Sequence, residues 1–440
     1  MFTFVKKVVH NKKKEYLILL VILSILASFE FCFIAMYNTL THIIDNNILF
    51  MSMSIIPALT LGVAVVLSVF ITKYFIYNQQ KEFSMLLLFG RTPKELFQYL
   101  LIQYGILLLI AFVIGIILGY CLMILINSIL ISIHIQFLYE YSFIETCLLY
   151  IPFLIFTILF ILAISARQFN VIDIDVVSTL NNKTYKKVIP YKISMSRHFG
   201  DRKVPVASII GVLFSLYIMF YSIYAIFVDP LLDNKLVFFM FMFAGIISVI
   251  NIFIPLIFDI FHERISRHPF LFHGISSFMD LYVELVSIAN IHSIIVPTLL
   301  ILLILASYSE IMKALIIPSF IMLLLMVVMC FIIKYNIYLK NTQKCYAIQY
   351  ALGFDCKTIQ NISLFKNIIF FIFIIIIPFL FIMYLGSLIT SLGYLSCQLM
   401  MILELSYIIL YLILMIYVTH KEKQAIKEVT ENVKYLNRSE

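Results

Sequence analysis

Two carboxylates stand where a carboxylate is costly. Glu30 and Glu404 each fall inside a long apolar run, and charge within lipid persists only where it is paired, faces a cavity or reaches the headgroups. Glu30 lies in the outer half of the first run and Glu404 in the outer part of the last, which allows them a similar depth. Two readings stay open. Either the pair faces a cavity or lateral opening and meets a cationic amphipathic ligand, or each carboxylate is hydrogen-bonded inside a helix bundle. Lys73, near the border of its run, is read as snorkelling to the surface.

A second pattern is a repeated polar element. At a shift of 263 residues, 79–96 (QQKEFSMLLLFGRTPKEL) lies over 342–359 (TQKCYAIQYALGFDCKTI), matching Gln80 with Gln343, Lys81 with Lys344, Gly90 with Gly353 and Lys94 with Lys357. In each copy an apolar stretch ends at a glycine, which permits the left-handed backbone that stops a helix. Pro93 or Asp355 then starts the next helix. The spacing predicts a short interfacial helix between two membrane spans. Its plain reading is a lipid-surface connector; its functional reading is a docking element for a cytoplasmic partner.

Other chemistry is thinly represented. The sequence contains no G-x-x-x-x-G-K-[ST], H-E-x-x-H or G-x-S-x-G, so ATP hydrolysis at a Walker site and the commonest hydrolase chemistries are not expected of it. His262, His268, His273 and His292 cluster near 259–292 without metal-ligand spacing and read as interfacial histidines. The seven cysteines form no C-x-x-C pair and read as buried structural thiols. Gly115-x-x-x-Gly119 reads as a close helix contact. No metal and no cofactor is expected.

The elements that must position these residues are membrane helices. Of 440 residues, 63% are hydrophobic and 12% charged, and mean hydropathy is +1.07. A soluble domain keeps about a quarter of its residues charged, so lipid is the remaining solvent. Runs near the length of about 20 residues needed to span occur at 15–37, 54–76, 99–131, 142–165, 205–228, 236–258, 291–306, 314–333, 364–387 and 397–418. The fold class is all-α: a polytopic membrane protein of about ten transmembrane helices. With both termini in the cytoplasm, Lys235 and Lys313 are the only basic residues outside the cytoplasmic segments or their borders, as the positive-inside rule asks. The charge of +8 then reflects the inner-face bias, and nucleic acid is not an expected partner. Met1–Lys14 leads into a run too long for a signal peptide and is read as preceding a retained helix. The stretches 166–204 and 259–290 read as cytoplasmic amphipathic linkers, and 419–440 as a helical tail that frays.

Glu82–Leu96 (E-F-S-M-L-L-L-F-G-R-T-P-K-E-L), followed by Gln103-Tyr104-Gly105 and a span with Gly115 and Gly119, resembles the signature of FtsX-like permease domains. Two such domains, at 54–165 and 314–418, separated by 166–313 with its linkers and three central spans, look like the ten-helix permeases of bacitracin-export type. An N-terminal span and loop (1–53) and a tail (419–440) complete the division. The resemblance implies a non-catalytic permease subunit in the cell membrane of a Gram-positive bacterium. It would act on antimicrobial peptides, bacteriocins or other amphipathic molecules, driven by a separate ABC ATPase, in two copies, that binds the ATP. A membrane histidine kinase and membrane lipids are further implied partners. Carried over residue by residue, ATPase docking would fall to Glu82, Gly90, Arg91, Thr92 and Lys94 in the first copy. In the second copy it would fall to Lys344, Gly353, Asp355 and Lys357. Cys345 replaces the first copy's Glu82, and Pro378 its Gly115, which suggests a degenerate second half. The large external domain of those permeases is missing, since Ser307–Lys313 occupies its place. Two other readings remain: an FtsX-like signalling subunit that controls a sensor kinase or wall hydrolase without transport, and a secondary transporter.

Overall fold

The computed structural model describes residues 13–41, 47–132, 142–171, 206–228, 241, 244–247, 250–251, 269–305, 310–391 and 396–439. Among these residues there is no strand. The helices, in chain order, are α1 (Lys13–Thr41), α2 (Asn47–Leu88), α3 (Pro93–Ser132), α4 (Phe143–Val171), α5 (Val206–Val228), α6 (Pro269–Leu305), α7 (Glu310–Ala351), α8 (Cys356–Ser391) and α9 (Cys397–Ser439). The protein is an all-α polytopic membrane protein. Seven described helices are long and apolar enough to cross a bilayer: Tyr16–Thr39, Lys94–Ser132, Phe143–Ala163, Phe270–Val296, Ala314–Ala351, Cys356–Tyr384 and Met400–Glu431, with shorter apolar helices at Gly62–Ile76 and Leu213–Ser222. The run expected at 236–258 falls largely outside the described residues.

Several helices are longer than a bilayer requires. α2 and α7 have 42 residues each and α9 has 43. At 1.5 Å per residue they measure about 63 Å, roughly twice a ~30 Å hydrocarbon core. Two expectations change as a result. The repeated element is not a separate interfacial helix, because α2 and α7 run unbroken up to Leu88 and Ala351 with no glycine or proline to interrupt them there. Most of the stretch 259–290 is not linker, because α6 begins at Pro269, where a fixed φ suits the first helical position. Phe278, Leu281, Tyr282, Leu285, Ile288 and Ala289 form its buried stripe while Asp280 is exposed, the spacing of an amphipathic helix. The tail is helical, as its sequence suggests: α9 continues to Ser439 and buries Val418, Glu422, Ala425, Ile426 and Thr430 on one face.

The chain divides into two compact units, 1–185 with 301–333 and 186–300 with 334–440. In the first, α1 packs most closely on α3. A Cβ on Gly115 would overlap that of Ala27, and one on Gly119 would come within 2.8 Å of Phe31, so the small pair permits the approach of the two backbones. Cys32 donates to the Gly119 carbonyl at 3.3 Å, and Tyr150 of α4 stands edge-on to Phe31. In the second unit α8 packs on α9, and Gly274 of α6 lets Phe365 of α8 lie against it. All seven cysteines are free, but only Cys32 and Cys330 are buried; Cys121, Cys345 and Cys397 are exposed. The expectation of uniformly buried thiols therefore fails. Cys121 lies within one of the spans, whose outward faces meet lipid.

Candidate functional site

Each copy of the repeated element is a turn that joins two long helices, and the two turns have the same backbone. The Gly90 amide donates to Leu87 O at 3.0 Å and that of Arg91 to Leu86 O at 3.1 Å; the Gly353 amide donates to Tyr350 O at 3.0 Å and that of Phe354 to Gln349 O at 3.2 Å. This is the Schellman pattern, which satisfies the last helical carbonyls and requires a left-handed residue. Gly90 has φ 81° and Gly353 has φ 96°. Thr92 then caps α3: its hydroxyl accepts from the Glu95 amide at 3.4 Å, and Glu95 accepts from the Thr92 amide at 3.2 Å. That capping box with Pro93 behind it fixes the start of the helix. In the second copy Asp355 precedes α8, whose first helical bond runs from the Ile359 amide to the Asp355 carbonyl.

The residues named from sequence are placed as follows. Gly90, Arg91, Thr92 and Lys94 are exposed at the first turn; Lys344, Gly353, Asp355 and Lys357 are exposed at or near the second; Glu82 is half-buried. Arg91 reaches Glu95 at 3.5 Å, an exposed pair of small energetic weight. What the sequence reading missed is the apolar tip. Phe89 is 82% exposed and Leu352 73%, and each is the residue before its glycine. Met85 and Ile348, one helical turn earlier, are exposed as well. In the sequence these side chains are indistinguishable from the rest of an apolar stretch, although charged residues flank them on both sides.

Behind the first turn, uncharged groups join α2 to α3 and to α1, and the Glu82 carboxylate lies near Tyr99. Phe83 is fully buried and edge-on to Tyr99 at 6.5 Å. Thr72 of α2 and Tyr104 of α3 share a hydrogen bond of 3.3 Å, Gln79 of α2 donates to Tyr16 of α1 at 2.6 Å, and within α3 Gln103 donates to Tyr99 at 2.6 Å. An apolar groove of about 250 Å³ lies between α1 and α3, lined by Tyr16, Leu20, Gln103, Leu107 and Ile110 among others.

Behind the second turn the ties are charged. Lys366 of α8 forms an ion pair with Glu422 of α9, at 1% and 0% exposure. Glu422 also accepts from the hydroxyls of Tyr346 and Tyr335 on α7, the latter at 2.6 Å, and from the Asn367 amide at 2.6 Å. The Lys366 ammonium lies 5.0 Å from the ring centre of Tyr338. Both carboxylate oxygens are thus used twice, as a buried charge requires. At the shift of 263, Lys366 corresponds to Gln103, Tyr346 to Phe83, Tyr335 to Thr72 and Asn367 to Tyr104. The charged node is a property of the second copy. Lys366 was visible as a lysine just inside an apolar run, but Glu422 sat in a segment read as tail.

Glu30 belongs to the first unit and Glu404 to the second. Glu30 is 6% exposed and lies beside the Tyr150 hydroxyl, which also reaches the Ala27 carbonyl at 3.3 Å. Glu404 is half-buried on α9. His292 is not interfacial: at 1% exposure it stacks on Tyr407 at 5.6 Å and leans on Tyr411 at 4.8 Å, because α6 carries it into the packing with α9. His273 is half-buried against Phe272 and Phe354; His262 and His268 fall outside the described residues.

Residues 54–174 match the FtsX-like permease C-terminal family. No curated protein matches the chain. The match covers α2 from residue 54, the first turn, α3 and α4. Permeases of that family are generally non-catalytic membrane subunits that work with an ABC ATPase. The match therefore supports a membrane permease subunit of an ABC-type system.

Proposed function

We propose that this protein is driven by a separate ABC ATPase that docks on both turns, two ATPase copies to one chain. The observation that carries the reading is the duplication of one tip: a left-handed glycine, an exposed apolar residue just before it, and a lysine four residues after it (Lys94 and Lys357). Phe89 with Met85, and Leu352 with Ile348, leave an apolar tip exposed beside each polar turn, and apolar patches rimmed by polar residues mark interaction sites. Exposed apolar anchors ringed by polar residues are typical of interface centres. The long α2–α3 and α7–α8 hairpins would carry ATP-driven movement of the tips into the spans.

On this reading the ligand is an amphipathic, membrane-active molecule such as an antimicrobial peptide or bacteriocin, exported or detached from the bilayer. Only residues 306–309 separate α6 from α7, which leaves no room there for an external capture domain. Recognition would then take place within the bilayer or through a partner. The apolar groove between α1 and α3 would suit an acyl or apolar side chain.

The test is co-expression with the ABC ATPase encoded beside the gene and purification by a tag on the permease alone. Wild type should recover the ATPase and raise its ATP turnover. A Gly90→Pro, Glu82→Lys variant, whose proline cannot take φ 81°, should lose both. If wild type recovers no ATPase in detergent or nanodiscs, the docking reading is wrong.

A further inference from the structure

The node behind the second turn joins three helices at one carboxylate, and a buried ion pair is a poor way to gain stability alone. Apolar residues of similar volume usually do as well or better, and the best-attested use of such a pair is to fix register between elements. Here the register is that of α9 against the α7–α8 hairpin. Eight residues beyond Glu422, the buried Thr430 meets Cys356, the first residue of α8, at 3.7 Å. The same face of α9 is thus seated beside the turn itself.

We propose that Lys366 and Glu422 are a positioning pair that makes α9 and the second turn one mechanical body, so that a partner engaging this turn moves α9 with it. At the positions corresponding to Lys366, Tyr346, Tyr335 and Asn367 the first copy carries the uncharged Gln103, Phe83, Thr72 and Tyr104. The proposal rests on the docking reading for the force that moves the turn, but the rigid seating of α9 does not depend on it.

The contact between Thr430 and Cys356 supplies the measurement. In a background with Cys121, Cys345 and Cys397 changed to serine, Thr430→Cys should form a disulfide with Cys356 under mild oxidation in nanodiscs. The rate should be the same in the nucleotide-free and the vanadate-trapped ATPase complex, and the cross-linked protein should keep its stimulation of ATP turnover. Adding Glu422→Gln should slow cross-linking and lower stimulation by roughly fivefold or more. ATPase recovery should stay unchanged, and forming the disulfide should restore stimulation. A merely structural role would not produce that rescue. If Glu422→Gln does not fold, Lys366→Met with Glu422→Leu carries the same test. The proposal is overturned if the disulfide abolishes turnover in the otherwise unaltered node, since α9 must then move against the turn. It is overturned equally if Glu422→Gln leaves both readouts unchanged, or if the disulfide fails to restore stimulation. Failure of the unaltered protein to recover ATPase sinks the docking reading instead. In that case the cross-linking rates of the isolated chain still decide whether the pair seats α9.

Discussion

Lys366 and Glu422 are paired at 1% and 0% exposure and lie on successive helices, the one leaving the second turn and the one that ends the described chain. Leaving one charge of such a pair alone is expensive. Glu422→Leu should destabilise the protein by about 3–5 kcal/mol, while adding Lys366→Met should recover most of the loss. Thermal unfolding of the single and double variants in one detergent checks this. A single variant as stable as wild type would show that the pair is not held away from water.

Gly90 and Gly353 have positive φ and nothing within 4 Å of an added Cβ. Substitution there tests backbone strain without a steric clash. Gly90→Ala and Gly353→Ala should each cost about 1–2 kcal/mol, and asparagine should cost less than alanine because it tolerates the left-handed region. Unfolding midpoints of the four single variants make the comparison.

Gly115 and Gly105 separate packing from propensity on one helix. An added methyl at Gly115 meets Ala27, whereas nothing lies within 4 Å at Gly105. Gly115→Ala should destabilise by about 1–3 kcal/mol through overpacking. Gly105→Ala should be neutral or stabilising by up to ~1 kcal/mol, since alanine is the better helix former. Equal effects at the two positions would contradict the close α1–α3 contact.

Hydropathy was enough to read the all-α membrane class, and the two glycines were enough to read the turns, because a glycine closing an apolar helical run can take the left-handed backbone that ends a helix. The repeat was visible for the same reason: Gly90 and Gly353 must each take a conformation that most residues avoid. Helix length was not legible. An apolar run reports where lipid is, but α2 and α7 continue past it on helix-forming polar residues that carry no hydropathy signal. The node was hidden because the helical character of 419–440 was legible but its packing was not. Glu422 lies among Lys421, Lys423 and Lys427, all exposed, and only the packing of α9 distinguishes it from these charged neighbours. Phe89 and Leu352 were hidden in the opposite way, as apolar residues in an apolar stretch whose exposure depends on where the helix stops.

The exposed tips also make a prediction for affinity. Phe89→Asp and Leu352→Asp should each weaken ATPase binding by roughly 30-fold, the effect of losing an anchor worth about 2 kcal/mol. Lys427→Ala, at an exposed position without an apolar anchor, should change it little. Titration of purified ATPase against nanodisc-embedded variants checks this.

The most direct test places a photoreactive benzoylphenylalanine at position 89, at position 352 and, as a span-facing control, at the exposed Ile117, in the intact complex with its ATPase. If both turns dock the ATPase, illumination should link positions 89 and 352 to it and leave position 117 attached to lipid alone. Labelling of lipid at all three positions, in a complex that still hydrolyses ATP, would contradict the account.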